Sequence, residues 1–184
     1  MVINMVYMFL ADGFEEIEAL CPLDLLRRAG VDIKTVSVGD GDFVTGSHGI
    51  SVKADMKESN FGDERPEMVI LPGGLPGTTN LEASGVVAKA LADALATDAY
   101  VCAICAAPSV LGKRGYLRGK EAICYPGFEE YLEGARISDK KVVRDGKIIT
   151  GAGMGVALEF GLMLVSALCG EEKAKELKKA VLAD

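Results

Sequence analysis

Hydrophobic and polar positions along the chain switch between two periods. Residues 2–10 form an almost unbroken apolar run, and residues 31–38 are rich in β-branched side chains. Runs of this kind suit strands buried inside a mainly parallel sheet. Between them Ile17, Leu20, Cys21 and Leu25 recur near the helical period, which predicts a helix over 15–28, stopped by Gly30. The same alternation returns as a strand at 68–71, a loop at 72–77, a helix at 84–96 and a strand at 100–104. Two glycine-punctuated segments interrupt it. Residues 42–55 predict a hairpin extension, and residues 142–150 a second hairpin around Asp145-Gly146. Helices over 155–169 and 171–182 complete the pattern. The prediction is an open, doubly wound α/β sandwich with a mainly parallel sheet between helices, and with any site in the crevice beyond the carboxyl ends of the strands.

Length and composition narrow this picture. The 184 residues are 49% hydrophobic and 26% charged, with a mean hydropathy of +0.24, so one core-forming domain over 1–184 is expected. Twenty-seven acidic against 20 basic residues leave a net charge of −7, whose field repels phosphate backbones and anionic lipid surfaces. Neither nucleic acid nor membrane is an expected partner. No apolar run approaches the roughly 20 residues that span a bilayer. The odd set of five cysteines (Cys21, Cys102, Cys105, Cys124 and Cys169) reads as free thiols in a reducing compartment. The first ten residues lack the basic start and small-residue cleavage site of a signal peptide, so a cytoplasmic location is expected.

Candidate chemistry concentrates where predicted strands end. In Ala103-Ile-Cys-Ala-Ala-Pro-Ser109 a buried strand stops and a helix begins, leaving Cys105 at the turn. Unpaired N–H groups and the positive end of the following helix would stabilise a thiolate there and move its pKa down from about 8.5. A small buried cysteine at a strand end fits that stretch equally well. Gly73 and Gly74 follow the strand at 68–71 and allow close backbone approach. The N–H groups of Gly74 and Ala106 are then candidates for an oxyanion hole beside Cys105.

After the first strand, Glu15, Glu16 and Glu18 crowd one helical turn. Glu15 and Glu18 share a face, while Glu16 points elsewhere. The favourable field of a helix N-terminus accounts for Glu15 and Glu16, whereas Glu18, a turn further in, is the candidate acid. Held beside a thiolate, its carboxyl would have a raised pKa and donate a proton near neutrality.

Together Gly13-Phe-Glu-Glu-Ile-Glu18, Leu23-Asp-Leu-Leu-Arg-Arg-Ala-Gly30, Leu71-Pro-Gly-Gly74, Ala103-Ile-Cys-Ala-Ala-Pro108 and Thr150-Gly-Ala-Gly-Met-Gly-Val-Ala-Leu-Glu-Phe160 resemble the ThiJ/PfpI superfamily, specifically its parkinsonism-associated branch, over essentially the entire chain. The resemblance implies a flavodoxin-like sandwich of the class I glutamine amidotransferase type, usually a homodimer. It makes Cys105 a reactive, redox-sensitive nucleophile, Glu18 its hydrogen-bonded acid, and Gly74 and Ala106 the oxyanion donors. Gly73, Tyr125 and His48 are possible pocket residues.

The chain departs from the family at two positions. The protease-like branch has histidine directly after the cysteine, where this chain has Ala106, so peptidase activity is not expected. Many members of the closer branch have histidine where Tyr125 precedes Pro126, and a phenol with an unperturbed pKa near 10 does not replace imidazole at pH 7. The resemblance allows His48, the single histidine, to approach Cys105 across a dimer interface, against the alternative of an ordinary exposed loop residue.

Other motifs are set aside. In Cys102-Ala-Ile-Cys105 the first cysteine lies within a strand, so a redox dithiol is not expected. One histidine and scattered cysteines predict no metal site, and the glycines between 151 and 155 come too late in the chain for a dinucleotide fingerprint. No cofactor is expected. The resemblance implies a cofactor-free, cysteine-dependent enzyme acting on small 2-oxoaldehydes or their early glycation adducts, as a glutathione-independent glyoxalase or deglycase. Its alternative is a redox-sensing, chaperone-like protective dimer with an oxidisable cysteine and little turnover.

Overall fold

The structure, a computed structural model, describes residues 5–62 and 65–183. The chain runs through β1 (Met5–Leu10), α1 (Glu16–Arg28), β2 (Ile33–Ser37), a hairpin of β3 (Phe43–Thr45) and β4 (Ser51–Lys53), β5 (Met56–Lys57) and β6 (Pro66–Leu71). It continues through α2 (Gly77–Ala83), α3 (Gly85–Ala96), β7 (Tyr100–Ile104), α4 (Pro108–Gly112), β8 (Glu121–Ala122) and β9 (Arg136–Ile137). Strands β10 (Val142–Asp145) and β11 (Ile148–Gly151) precede α5 (Ala157–Cys169) and α6 (Glu171–Ala180). None of the described helices is long and apolar enough to cross a membrane.

Seven strands form the main sheet in the order β10-β11-β7-β6-β1-β2-β5, parallel throughout except for the antiparallel pair β10–β11. Alternation within each central strand feeds two cores. Val6, Met8 and Leu10 of β1 pack on the face that also holds Phe160 and Leu164 of α5, while Tyr7 and Phe9 pack on the face of Leu91 and Val110. The same period of two sends Cys102 and Ile104 one way and Val101 and Ala103 the other. A sheet buried on both faces explains why the sequence shows continuous apolar runs. Gly161 permits the close packing of α5 on α1, because a Cβ there would stand 2.6 Å from Leu25 and 2.9 Å from the Pro22 backbone.

Strand order reverses between β1 and β6: the chain leaves β1 toward β2 on one side and returns to β6 on the other. This is the switch point at which carboxyl strand ends open a crevice. The doubly wound expectation holds, with three differences. Helix α2 occupies 77–83, which the sequence pattern left without an element. The strand of the second hairpin, β11, is no extension but sits in the main sheet beside β7. The small pair β8–β9 was not anticipated. The hairpin at 42–55 does form a separate two-stranded extension.

Candidate active site

Three strand ends meet at the switch point. After β7, Cys105 adopts φ +65, a left-handed conformation that costs a non-glycine residue about 1–3 kcal/mol unless its surroundings hold it. They do: the Cys105 N–H donates to Gly151 O at 2.9 Å, and its carbonyl accepts from the Tyr125 N–H at 2.8 Å. The backbone N–H groups of Gly74 and Ala106 both donate toward the sulfur.

Glu18 arrives from α1, whose first turn is fixed by Glu15. The Glu18 N–H donates to Glu15 Oε2 at 2.6 Å, and the Glu15 N–H donates to Gly73 O at 2.8 Å. Only 1% of Glu18 is exposed. Its carboxyl interacts with the Cys105 thiol, and its Oε2 accepts from the Gly73 N–H at 3.0 Å. Its Oε1 is buried with no hydrogen-bond partner among the described residues. Residue 73 has to be glycine, since a Cβ there would lie 2.5 Å from Glu18 Oε2 and 2.6 Å from Cys105 Cβ. Gly74, at φ +91, meets the same limit against the backbone of Glu15.

The electrostatics correct one expectation. Burial raises the Glu18 carboxyl to about 7, against the opposing pull of the Cys105 thiol and the Gly73 N–H. Cys105 is not shifted down. Burial, the Glu18 charge and the hydrogen bond to that carboxylate push it up to about 12, and the N–H groups of Ala106 and Gly74 only partly offset them. The helix that follows is also only five residues long, too short for the strong dipole the sequence suggested. These shifts describe two groups that do not both ionise in one buried site. Protonating Glu18 removes the like charge and gives the carboxyl a proton to donate toward sulfur. A thiolate at Cys105 therefore belongs to the state in which Glu18 is protonated.

A cavity of about 380 Å³ adjoins this pair, lined by Tyr125, Pro126, Lys141 and residues 152–156. Gly153 links the two: a Cβ placed on it would be 4.0 Å from Glu18 Oε1 and 3.3 Å from Tyr125 Cδ2. Tyr125, 52% exposed, forms a wall of the opening. The structure thus gathers Cys105, Glu18, Gly73, Gly74, Ala106 and Tyr125 in one place.

His48 is held elsewhere within the chain. Its Nδ1 lies 2.9 Å from Glu16 Oε2, and its backbone N–H donates to Glu16 Oε1 at 2.7 Å. Here a helix-dipole account of Glu16 proves insufficient. Glu16 is 3% exposed and anchors the turn of the β3–β4 hairpin, also accepting from Ile50 N–H at 3.5 Å and Ser47 Oγ at 3.4 Å. Potential ligand atoms of Glu15, Glu16 and His48 lie within 4.8 Å of one another, a grouping that sequence spacing did not suggest, although Glu16 is already engaged by these donors. Cys102 is fully buried in β7, where burial raises its thiol well above the ordinary range.

With this geometry in view, the chain can be placed among known proteins. A sequence model of the DJ-1/PfpI family matches residues 4–167, and the chain belongs to that family. Protein dj-1beta of Drosophila melanogaster is 35% identical over 175 residues, covering 94% of each chain. A Caenorhabditis elegans relative named glutathione-independent glyoxalase DJR-1.2 is 30% identical over 166 residues, covering 90% of this chain and 88% of its own. Among solved structures, oxidised Toxoplasma gondii DJ-1 superposes with a TM-score of 0.94 at 34% identity, covering 97% of this chain and 98% of the other.

Proposed function

We propose that this protein is a cofactor-free, cysteine-dependent enzyme that converts small 2-oxoaldehydes to 2-hydroxy acids. The observation that carries this reading is the pairing of the buried Glu18 carboxyl with Cys105, under two backbone N–H donors. The name of the nematode relative supports the same reaction class.

With methylglyoxal, the Cys105 thiolate adds to the aldehyde carbon, forming a C–S bond and an alkoxide that the Gly74 and Ala106 N–H groups stabilise. Glu18 gives its proton to the oxyanion and, as carboxylate, removes the hydrogen of the aldehyde carbon as a proton to leave an enediolate. It then returns that proton to the neighbouring carbon, while the hydroxyl proton on the sulfur-bearing carbon passes to the enediolate oxygen, giving a thioester of the 2-hydroxy acid. Water hydrolyses the thioester, restoring the Cys105 thiolate and the Glu18 proton. One carbon is oxidised and its neighbour reduced, so substrate and water balance the reaction. The same first attack serves early adducts of oxoaldehydes on amines and thiols. The protein acts as a homodimer in this reading, with exposed Ile17, Phe43 and Ile50 as apolar surface available to a second copy. Light scattering checks that part.

The decisive experiment measures lactate formed from methylglyoxal by pure protein without glutathione. Turnover is expected in the wild type and is lost in Cys105→Ala. If methylglyoxal persists while peroxide selectively oxidises Cys105, the redox-sensing reading replaces the enzymatic one.

A further inference from the structure

The cavity beside Cys105 is larger and more polarised than methylglyoxal requires. Cavities of about 300 Å³ and above enclose drug-sized ligands. The 380 Å³ here leaves most of its volume unused by a molecule of five heavy atoms. Its lining is uncharged except at one residue, Lys141. The backbone of Lys141 is fixed to the wall, its carbonyl accepting from the Ala152 N–H at 2.8 Å. Lys141 is exposed and its ammonium has no ion-pair partner among the described residues, as is also true of Lys34, Lys53, Lys140, Lys173, Lys178 and Lys179; its place in the cavity wall sets it apart. An unpaired cation in a chain of net charge −7 is a local reversal of the surrounding field. Another wall differs in kind: a Cβ placed on Gly153 would stand 4.0 Å from Glu18 Oε1, a buried oxygen with no hydrogen-bond partner among the described residues.

We propose that Lys141 forms an anion subsite in this cavity, and that the preferred substrate is a 2-oxoaldehyde or early adduct whose end remote from the reacting carbonyl bears a carboxylate. The carbonyl end meets Cys105 and Glu18, the aliphatic middle lies along Tyr125 and Met154, and the carboxylate reaches the ammonium. This deepens the proposed function and rests on it for the carbonyl chemistry, while the charge preference is measurable without turnover.

The first arm compares kcat/KM for dioxopentanoate, a 2-oxoaldehyde ending in carboxylate, with its neutral methyl ester. The wild type is expected to prefer the carboxylate by about fivefold, the size of a partly exposed ion pair, mainly through KM. Lys141→Gln abolishes the preference, Lys141→Arg keeps it and Lys141→Glu inverts it. Because each variant is read as a ratio, general losses of activity cancel. Added salt lowers the wild-type ratio toward unity.

The second arm needs no enzymatic activity: the rate of Cys105 alkylation by iodoacetate is divided by that by iodoacetamide. A ratio that falls about threefold or more in Lys141→Gln and is retained in Lys141→Arg supports the subsite even if no oxoaldehyde is turned over. Ratios unaltered by Lys141→Gln in both arms overturn it.

Discussion

Glu16 and Glu18 sit two residues apart in the first turn of α1, both are almost entirely buried, and their acidities diverge. At Glu16 burial pulls the pKa up, yet the His48 ring, the His48 and Ile50 N–H groups and its own N–H together hold it down at about 2. At Glu18 burial, helped by the nearby Glu15 charge, wins and the carboxyl rises to about 7, because only a thiol and a single backbone N–H oppose it. The comparison teaches that the number of donors facing a buried carboxylate, more than burial itself, decides whether it serves as an anchor or as a proton carrier.

The largest effect that would break this contrast is expected at Glu18. Glu18→Gln should lower the rate of lactate formation by about 10²–10⁴, the usual contribution of a positioned acid–base group. It should also change the pH dependence of stability. Between pH 4.5 and about 7 the folded protein holds a proton on Glu18 that the unfolded chain has lost, so stability is full below 4.5 and falls as pH rises through 7. The shift corresponds to about 3 kcal/mol. Urea melts at pH 5 and pH 8 should show Glu18→Gln gaining on the wild type by an amount of that order at the higher pH.

Gly73→Ala sharpens the comparison from the other side by pressing a methyl group onto both Glu18 and Cys105. A loss of about 1–3 kcal/mol in stability, together with slower Cys105 alkylation, is expected from this overpacking. Because the Glu18 charge opposes the Cys105 thiolate, Glu18→Gln should bring Cys105 alkylation to lower pH than in the wild type. An alkylation profile unmoved by that substitution would dissolve the pairing.

Glu16→Ala tests the anchor. It leaves the His48 and Ile50 N–H groups without their acceptor, a loss of about 1–3 kcal/mol. Hydrogen exchange at those two amides should accelerate. Because the Glu16 pKa is depressed, its contribution is present above pH 4.5 and disappears as pH falls toward 2, so the acid limb of the wild-type stability curve should flatten in the variant. The smallest change belongs to His48→Ala. The imidazole is exposed, and the backbone N–H of residue 48 keeps its bond to Glu16. Its hydrogen bond to Glu16 and the Glu16 charge raise the His48 pKa, so its contribution is present below pH 6.5 and is lost as pH climbs through the raised value. The decrease in Tm should be smaller than for Glu16→Ala and should shrink in alkaline buffer.

Much of the fold was legible because period and burial agree in its central strands: β7 runs over 100–104, as its apolar run predicted. Helix α2 escaped notice because Gly77-Thr-Thr-Asn80 is a poor helix former, ordered here through backbone bonds such as Thr78 N–H to Gly74 O at 2.8 Å. The turn at Asp145-Gly146 announced a hairpin, but a local turn carries no information about which edge the hairpin will join. At the site, the residue types and spacing singled out Cys105 and Glu18. The signal for Glu16 was weaker: a third carboxylate in a turn where two suffice for the helix end.

By itself, then, the sequence determined the alternation of elements, the strand ends that carry a thiol and an acid, and the family to which the chain belongs. Tertiary structure decided the protonation logic of the pair, the role of Glu16 and the place of Lys141. Periodicity is a local property written into successive side chains, whereas a pKa or an unpaired charge depends on donors and carboxylates that only long-range folding brings within a few ångströms.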